Sequence, residues 1–332
     1  MDHKLLLKEI RNKKFEKIYF LHGEEPYFID VLTKAIQDNA LEESERDFNQ
    51  SILYGKDAEV LSLISELKSY PMMAERRLVI LKEAQYFKAI EQLESYLENP
   101  ANSTIFVICY KYKTFDARKK TLKNALKNGV VFKSEKVKEY QLAEWIQQYI
   151  KTTGYELTSK ACMLLIESLG NDLGRIVKEL EKLAVLIEKG TIINENHIEE
   201  NIGISKDYNV FELTNAVANK DNLKALKIVD YFEHNPKAAD LVFVISNLFK
   251  FFSQIMRIHF LPNKSREAVA RALGVHPFVA GELTNAKNKY DPRKIAANIA
   301  LIHEYDLKSK GVGNTSATQG ELMREMVYQL IH

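Results

Sequence analysis

Five short strand-like segments, most of them nearly uninterrupted apolar runs, lie within the first 132 residues, and helical spacing fills the intervals between them. The segments are Lys17–His22 with Gly23 after it, Phe48–Tyr54, Leu78–Leu81, Thr104–Cys109 and Val130–Phe132. Between them, Glu24–Leu41, Asp57–Leu67, Gln85–Leu97 and Phe115–Lys127 place apolar residues on one helical face. Asp57 is the expected cap of the second helix. A strand that is apolar on both faces must be covered on both, so the alternation predicts a parallel sheet with helices on each side.

After Lys138 the strand pattern stops. Gln141–Thr152, Ser159–Leu169, Asp172–Glu188 and Asn194–Ile202 read as helices, punctuated by Gly154, Gly170 and Gly190. A further helical block follows from Asn209. Its segment Asp240–Phe260 holds Phe243, Phe249, Phe251, Phe252 and Phe260. A helix that apolar is expected to be a bundle core, with an oligomer interface as the alternative. The expected fold is an α/β N-terminal domain with a parallel sheet (1–138), then two all-α domains (139–205 and 206–332).

The 332 residues are 46% hydrophobic and 28% charged, an ordinary globular balance. Lys and Arg number 47 against 45 Asp and Glu, so a strongly basic nucleic-acid protein is excluded as a default. Cys109 and Cys162 have no CxxC partner, which excludes a disulfide framework and a cysteine-rich zinc site. The first residues lack the apolar core of a signal peptide, and no apolar run approaches the roughly 18 residues of a membrane span. The chain is expected to be a cytoplasmic protein of a reducing compartment, without membrane contact. The eight histidines show no HExxH or comparable spacing, so no metal site is expected. No nucleophile elbow or catalytic carboxylate pair is identified.

The first strand, a glycine and a helix stand in the order of a nucleotide-binding loop, yet the segment reads Gly23-Glu-Glu-Pro-Tyr-Phe-Ile-Asp30. The working loop, GxxxxGK[ST], surrounds phosphate with backbone N–H groups and a lysine. Here the second glycine and the Lys-Ser/Thr pair are missing. Pro26 has no N–H, and Glu24 and Glu25 repel phosphate at the helix start. Lys82 occupies the place of a magnesium-binding carboxylate after the third strand. No nucleotide cofactor is expected.

Between the second helix and the third strand lies Leu67-Lys-Ser-Tyr-Pro-Met-Met-Ala-Glu-Arg-Arg-Leu78. Pro71 breaks the helix, and Met72 and Met73 form a candidate docking plug, since methionine adapts to a groove. The plainer alternative folds both methionines back onto the sheet edge.

Ser69–Arg77 followed by Leu-Val-Ile-Leu81 resembles the "S-x-x-hydrophobic-hydrophobic-x-x-(R/K)-R" element of the bacterial DNA polymerase III delta-subunit family. Ile18–Phe28 resembles that family's opening strand with its degenerate phosphate loop. Gly170–Leu183 resembles its G-x-D-L-x-x-I-x-x-E-L-E-K-L helix, and Asn209–Val217 with Lys224-Ala-Leu resembles the start of its third domain. The matches run in family order from about residue 17 to about 290. The resemblance implies an inactive AAA+-like module at 1–138, a helical lid at 139–205 and a collar domain at 206–332. It implies a clamp-loader subunit of the polymerase holoenzyme, a nucleotidyltransferase complex, that binds and opens the sliding clamp without hydrolysing ATP. By position Met72 and Met73 are the clamp-binding pair, where relatives often carry Leu or Phe. The implied partners are the clamp (beta subunit), the gamma/tau and delta prime subunits, and primed DNA. Arg175 stands roughly where active relatives carry a nucleotide-sensing arginine, and a structural ion pair is expected for it.

Residues 111–138 carry ten basic residues against Asp116 and Glu135. That is enough to neutralise several DNA phosphates, with Arg118, Lys119, Lys120 and Lys123 as possible contacts. The alternative is a solvated helix face. Arg266–Ala280 resembles a helix-turn-helix, which makes a DNA-binding regulator the runner-up. Its second helix opens on Pro277-Phe-Val-Ala280, where a recognition helix needs polar side chains.

Overall fold

The computed structural model describes residues 2–332, and its contacts divide the chain into two units on either side of the Val137–Lys138 bond. In the first unit the order is α1 (His3–Arg11), β1 (Ile18–Gly23), α2 (Pro26–Asn39), α3 (Glu43–Asn49), β2 (Gln50–Tyr54), α4 (Val60–Lys68) and β3 (Arg77–Lys82). Two 3₁₀ turns (Ala84–Tyr86, Ile90–Leu93), α5 (Glu94–Glu98), β4 (Thr104–Lys111), α6 (Lys120–Asn128) and β5 (Val130–Ser134) complete it.

All five strands are parallel, in the order β2-β3-β4-β1-β5. Leu21 stands opposite Cys109 on one side of β1 and Phe132 on the other. Phe20, Leu21, Ile80, Phe106 and Val107 are fully buried, each such side chain contributing about 1.5–3 kcal/mol of hydrophobic stabilisation.

Four local readings differ from the sequence expectation. Phe48 ends a helix rather than opening a strand, because Glu45 accepts the Glu42 N–H at 2.9 Å and nucleates α3 ahead of it. Asp57 lies in the turn after β2, and Glu59 is the N-cap residue of α4. The span 85–97 is broken because Phe87 turns into the core in an extended conformation. Residues 115–119 form a turn, not helix: the Phe115 N–H donates to His22 Nδ1 at 3.1 Å and the Arg118 N–H to Asp116 at 2.9 Å.

The second unit comprises α7 (Glu139–Thr152), β6 (Glu156–Leu157), α8 (Ser159–Leu169), α9 (Leu173–Leu186), β7 (Ile192–Ile193) and α10 (Glu195–Ile202). It continues with α11 (Val210–Asn219), α12 (Asn222–His234), α13 (Leu241–His259), α14 (Arg266–Leu273), α15 (Pro277–Lys287), α16 (Pro292–Ser309) and α17 (Gln319–Ile331). The short parallel β6–β7 pair was not expected after Lys138. Asp172, Asn209, Asp221, Asp240 and Asp291 cap the helices that follow them, each side chain accepting an orphan backbone N–H.

One large apolar core draws on residues Val210 to Ile331, with α13 at its centre. Phe251 and Phe252 are buried in it, as expected of a bundle core, whereas Phe243, Phe249 and Phe260 are 40%, 50% and 76% exposed. At 19 residues and a mean hydropathy of 1.4, α13 is long and apolar enough to cross a membrane by length and composition alone. Asn247, Lys250, Gln254 and Arg257 interrupt its apolar sequence, so no continuous apolar run of that length stands out. Eight side chains of α13 are buried within the unit.

Candidate functional site

The connection from α4 to β3 is anchored at both ends. The Leu67 carbonyl at the end of α4 accepts the Thr104 hydroxyl at 3.1 Å and the Tyr96 hydroxyl at 3.3 Å. At the start of β3, Arg77 forms an ion pair with Glu66, and Ser51 donates to the same carboxylate at 2.8 Å. The hydrogen bonds from Ser51 and then Arg77 hold the Glu66 carboxyl below its ordinary pKa. Arg76 lies over the Phe15 ring at 5.4 Å.

Between these anchors the backbone is held at one residue. Asn49, fully buried at the end of α3, donates from Nδ2 to the Met72 carbonyl at 2.9 Å. Its Oδ1 accepts the Met72 N–H at 2.6 Å. One side-chain amide thereby satisfies both backbone polar groups of Met72, as a strand neighbour would. Met73 follows in the left-handed region at φ 54°, a conformation that costs a non-glycine residue roughly 1–2 kcal/mol. The result is outward projection: Met72 is 60% exposed and Met73 fully exposed, with Tyr70 beside them at 87%. Neither methionine folds back onto the sheet edge.

Sequence reasoning missed Asn49. Its partner lies 23 residues away, and no local pattern marks an asparagine that will bond a distant backbone. Asn49→Ala is expected to loosen this loop. Loss of the buried amide removes about 1–3 kcal/mol, so hydrogen exchange at the Met72 N–H should quicken roughly tenfold or more. Unchanged exchange there would contradict the loop-anchoring role given to Asn49.

The degenerate phosphate loop is closed by its own chain. The Glu24 N–H donates to the Ser134 carbonyl at 2.9 Å, and the Glu25 N–H approaches the same oxygen at 3.5 Å. Pro26 has no N–H, and the Glu25 carboxylate caps the Tyr27 N–H at 3.1 Å. Ser134 returns a hydroxyl bond to the Glu25 carbonyl at 2.6 Å. The donors that would face a phosphate are thus engaged within the protein. Beneath them His22 is buried, and desolvation followed by the nearby Lys133 lowers its pKa to about 4, so it is neutral at pH 7.

The basic stretch is partly neutralised. Arg118 is chelated by Asp116, whose pKa is held at about 2 chiefly by that hydrogen bonding. Lys119 pairs with Glu91 at 2.8 Å, Lys111 with Asp30 at 2.5 Å and Lys133 with Glu135 at 2.8 Å. Glu91 and Asp30 come from outside the stretch, beyond what a local charge count sees. Lys120 and Lys123 stand exposed on α6 with no ion pair among the described residues.

Arg175 also departs from expectation. Its backbone N–H is bonded by Asp172 at 3.0 Å, but its exposed side chain makes no ion pair among the described residues. The segment 266–287 does form two helices joined by Gly274 in the left-handed conformation. The second begins with half-buried Phe278 and Val279 rather than a polar reading face. Among the described residues no group of His, Cys, Asp or Glu is placed to hold a metal ion.

Comparison with known proteins agrees with this architecture. A family model described as "DNA polymerase III, delta subunit" matches residues 19–135, and one for the delta subunit's C-terminal domain matches 207–326. The chain is 24% identical over 316 residues to the DNA polymerase III subunit delta of Bacillus subtilis, covering 91% of this chain and 90% of the relative. It is 22% identical over 227 residues to a probable DNA polymerase III subunit delta of Aquifex aeolicus, covering 65% and 63%. The solved structure of the Bacillus subtilis DNA clamp loader delta protein shares the fold over 99% of both chains, with a TM-score of 0.58 at 22% identity. With two models of one family matched in order over more than two thirds of its length, the chain belongs to the DNA polymerase III delta-subunit family.

Proposed function

We propose that this chain is the clamp-opening subunit of a replicative clamp loader, acting in the cytoplasm. The observation that carries the reading is the Met72–Met73 pair, exposed on a loop whose backbone Asn49 pins, in a chain of this family. Two apolar side chains presented on a fixed backbone suit insertion into a hydrophobic groove of the sliding clamp, because little ordering entropy remains to be lost. Opening follows from differential binding: a loop that fits the open or distorted ring interface better than the closed one shifts the ring toward opening.

In this reading residues 139–205 act as the lid and 206–332 as the collar that joins the gamma/tau and delta prime subunits. The exposed Phe249 of α13 and Phe260, just past its end, suit such a helical interface. Lys120 and Lys123, with Arg118 and Lys119 close by, suit primed DNA held within the assembled loader. ATP-driven motion of the partner subunits controls access to the methionine loop, and this chain supplies no hydrolysis. Gel filtration of the chain with the organism's own clamp tests the reading: co-elution is expected, and separate elution at micromolar concentrations contradicts it.

The engaged N–H groups at Glu24 and Glu25 support a second expectation. Calorimetry with ATP and magnesium should give no measurable heat of binding. A micromolar, magnesium-dependent affinity would overturn the reading of that loop as closed.

A further inference from the structure

A cavity of about 430 Å³ opens among α7, α8, α11, α13 and α15 of the second unit, within the size range of small-ligand sites. Leu142, Met163, Ile166, Phe211, Phe251 and Leu283 supply apolar wall. Three carboxyl groups interrupt it: Glu139 from α7, Glu167 from α8 and Glu282 from α15. A single lysine, Lys250 of α13, also lines it, and its ammonium is paired with Glu139.

Glu167 is the unsatisfied member. Its Oε2 is buried with no hydrogen-bond partner among the described residues, although its carboxylate accepts the Phe211 N–H. Leaving a buried acceptor unpaired costs free energy that a ligand's donor would recover. Burial foremost, opposed by the Phe211 N–H, raises the Glu167 pKa to about 8, with Glu212 raising it further and Lys250 lowering it. Burial, then Glu212, also raises the pKa of Glu282, against Lys160. The wall is thus apolar, carries more acid than base, and holds one carboxyl without a full set of partners.

We propose that this cavity binds an aliphatic amine, with the ammonium on Glu167 and the methylene chain against Leu142, Ile166 and Phe251. A cation at Glu167 favours its ionised form, so binding displaces the proton held there at neutral pH. Affinity should therefore rise with pH up to about 8 and level off above it, while the amine, with a pKa near 10.4, stays charged. The charged groups acting on Glu167 are Glu212 and Lys250, those acting on Glu282 are Glu212 and Lys160, and Glu139 shares the cavity wall. Glu212 is already paired with Lys160 and Lys224.

The test is titration of the full chain with n-butylammonium, read by the methyl resonance of Met163 in the cavity wall, with n-butanol as the neutral control. Saturable shifts are expected with butylammonium, about tenfold weaker binding with butanol, and loss of the pH dependence in Glu167→Gln. That variant mimics the protonated carboxyl and is expected to fold normally, which a thermal melt checks. Lys250→Met removes the one lysine that lines the cavity and should tighten binding. No saturation in either the wild type or Lys250→Met overturns the proposal, as does equal binding of butanol or unchanged behaviour of Glu167→Gln.

Discussion

Replacing Met72 and Met73 together by alanine is expected to weaken clamp binding at least about a hundredfold. Each methionine side chain buried in a groove contributes roughly 1.5–3 kcal/mol, and about 1.4 kcal/mol corresponds to a tenfold change in affinity. Folding stability should barely move. Both side chains project into solvent, and exposed substitutions usually stay within about 0.5 kcal/mol. Position 73 brings no new backbone strain, because alanine meets the same left-handed penalty as methionine. Clamp titrations and thermal melts of the double variant separate the two roles. A large fall in melting temperature with unchanged clamp affinity would assign the pair to structure instead.

Gly23→Ala is expected to be among the most damaging single substitutions in the first unit. Gly23 lies at φ 137°, and a Cβ there would stand 2.0 Å from the Ser134 carbonyl oxygen. That oxygen is the acceptor that closes the degenerate loop. The backbone conformation costs roughly 1–3 kcal/mol for a residue with a side chain, and forcing β5 aside adds about as much again. A drop of about 2–6 kcal/mol in denaturant unfolding is expected, close to the whole stability of many domains. A loss under 1 kcal/mol would mean that Ser134 yields easily and that the loop is not locked. The glycine that a nucleotide-binding protein uses for phosphate approach serves here to let β1 and the end of β5 meet.

The central strands β1, β3 and β4 were legible because burial on both faces leaves an unmistakable apolar run, and Thr104–Lys111 falls close to its expected bounds. The methionine pair was legible as a loop element because Pro71 ends the preceding helix and a strand follows at once. Its exposure was not, since an apolar pair between two elements serves equally well as core or plug. Phe48 shows the limit of pattern reading: it is apolar and adjoins a strand, yet it is 62% exposed at a helix end. Asn49, next to it, is fully buried and decides the loop's geometry through a tertiary bond. Charge counting along 111–138 failed for the same reason, because Asp30 and Glu91 reach the stretch only through the fold. On α13, composition located the central helix but not which phenylalanines it turns outward.

The central claim is that Met72 and Met73 are the clamp-binding residues, and methyl-labelled methionine offers the most direct measurement. The chain has seven methionines, and Met323 and Met326 lie buried in the α17 core as internal references. The full chain is titrated with the organism's own unlabelled sliding clamp while the methyl resonances are followed. Large, saturating shifts confined to Met72 and Met73, with Met163, Met323 and Met326 unmoved, are the predicted result. Saturable clamp binding that leaves the Met72 and Met73 resonances in place would contradict it.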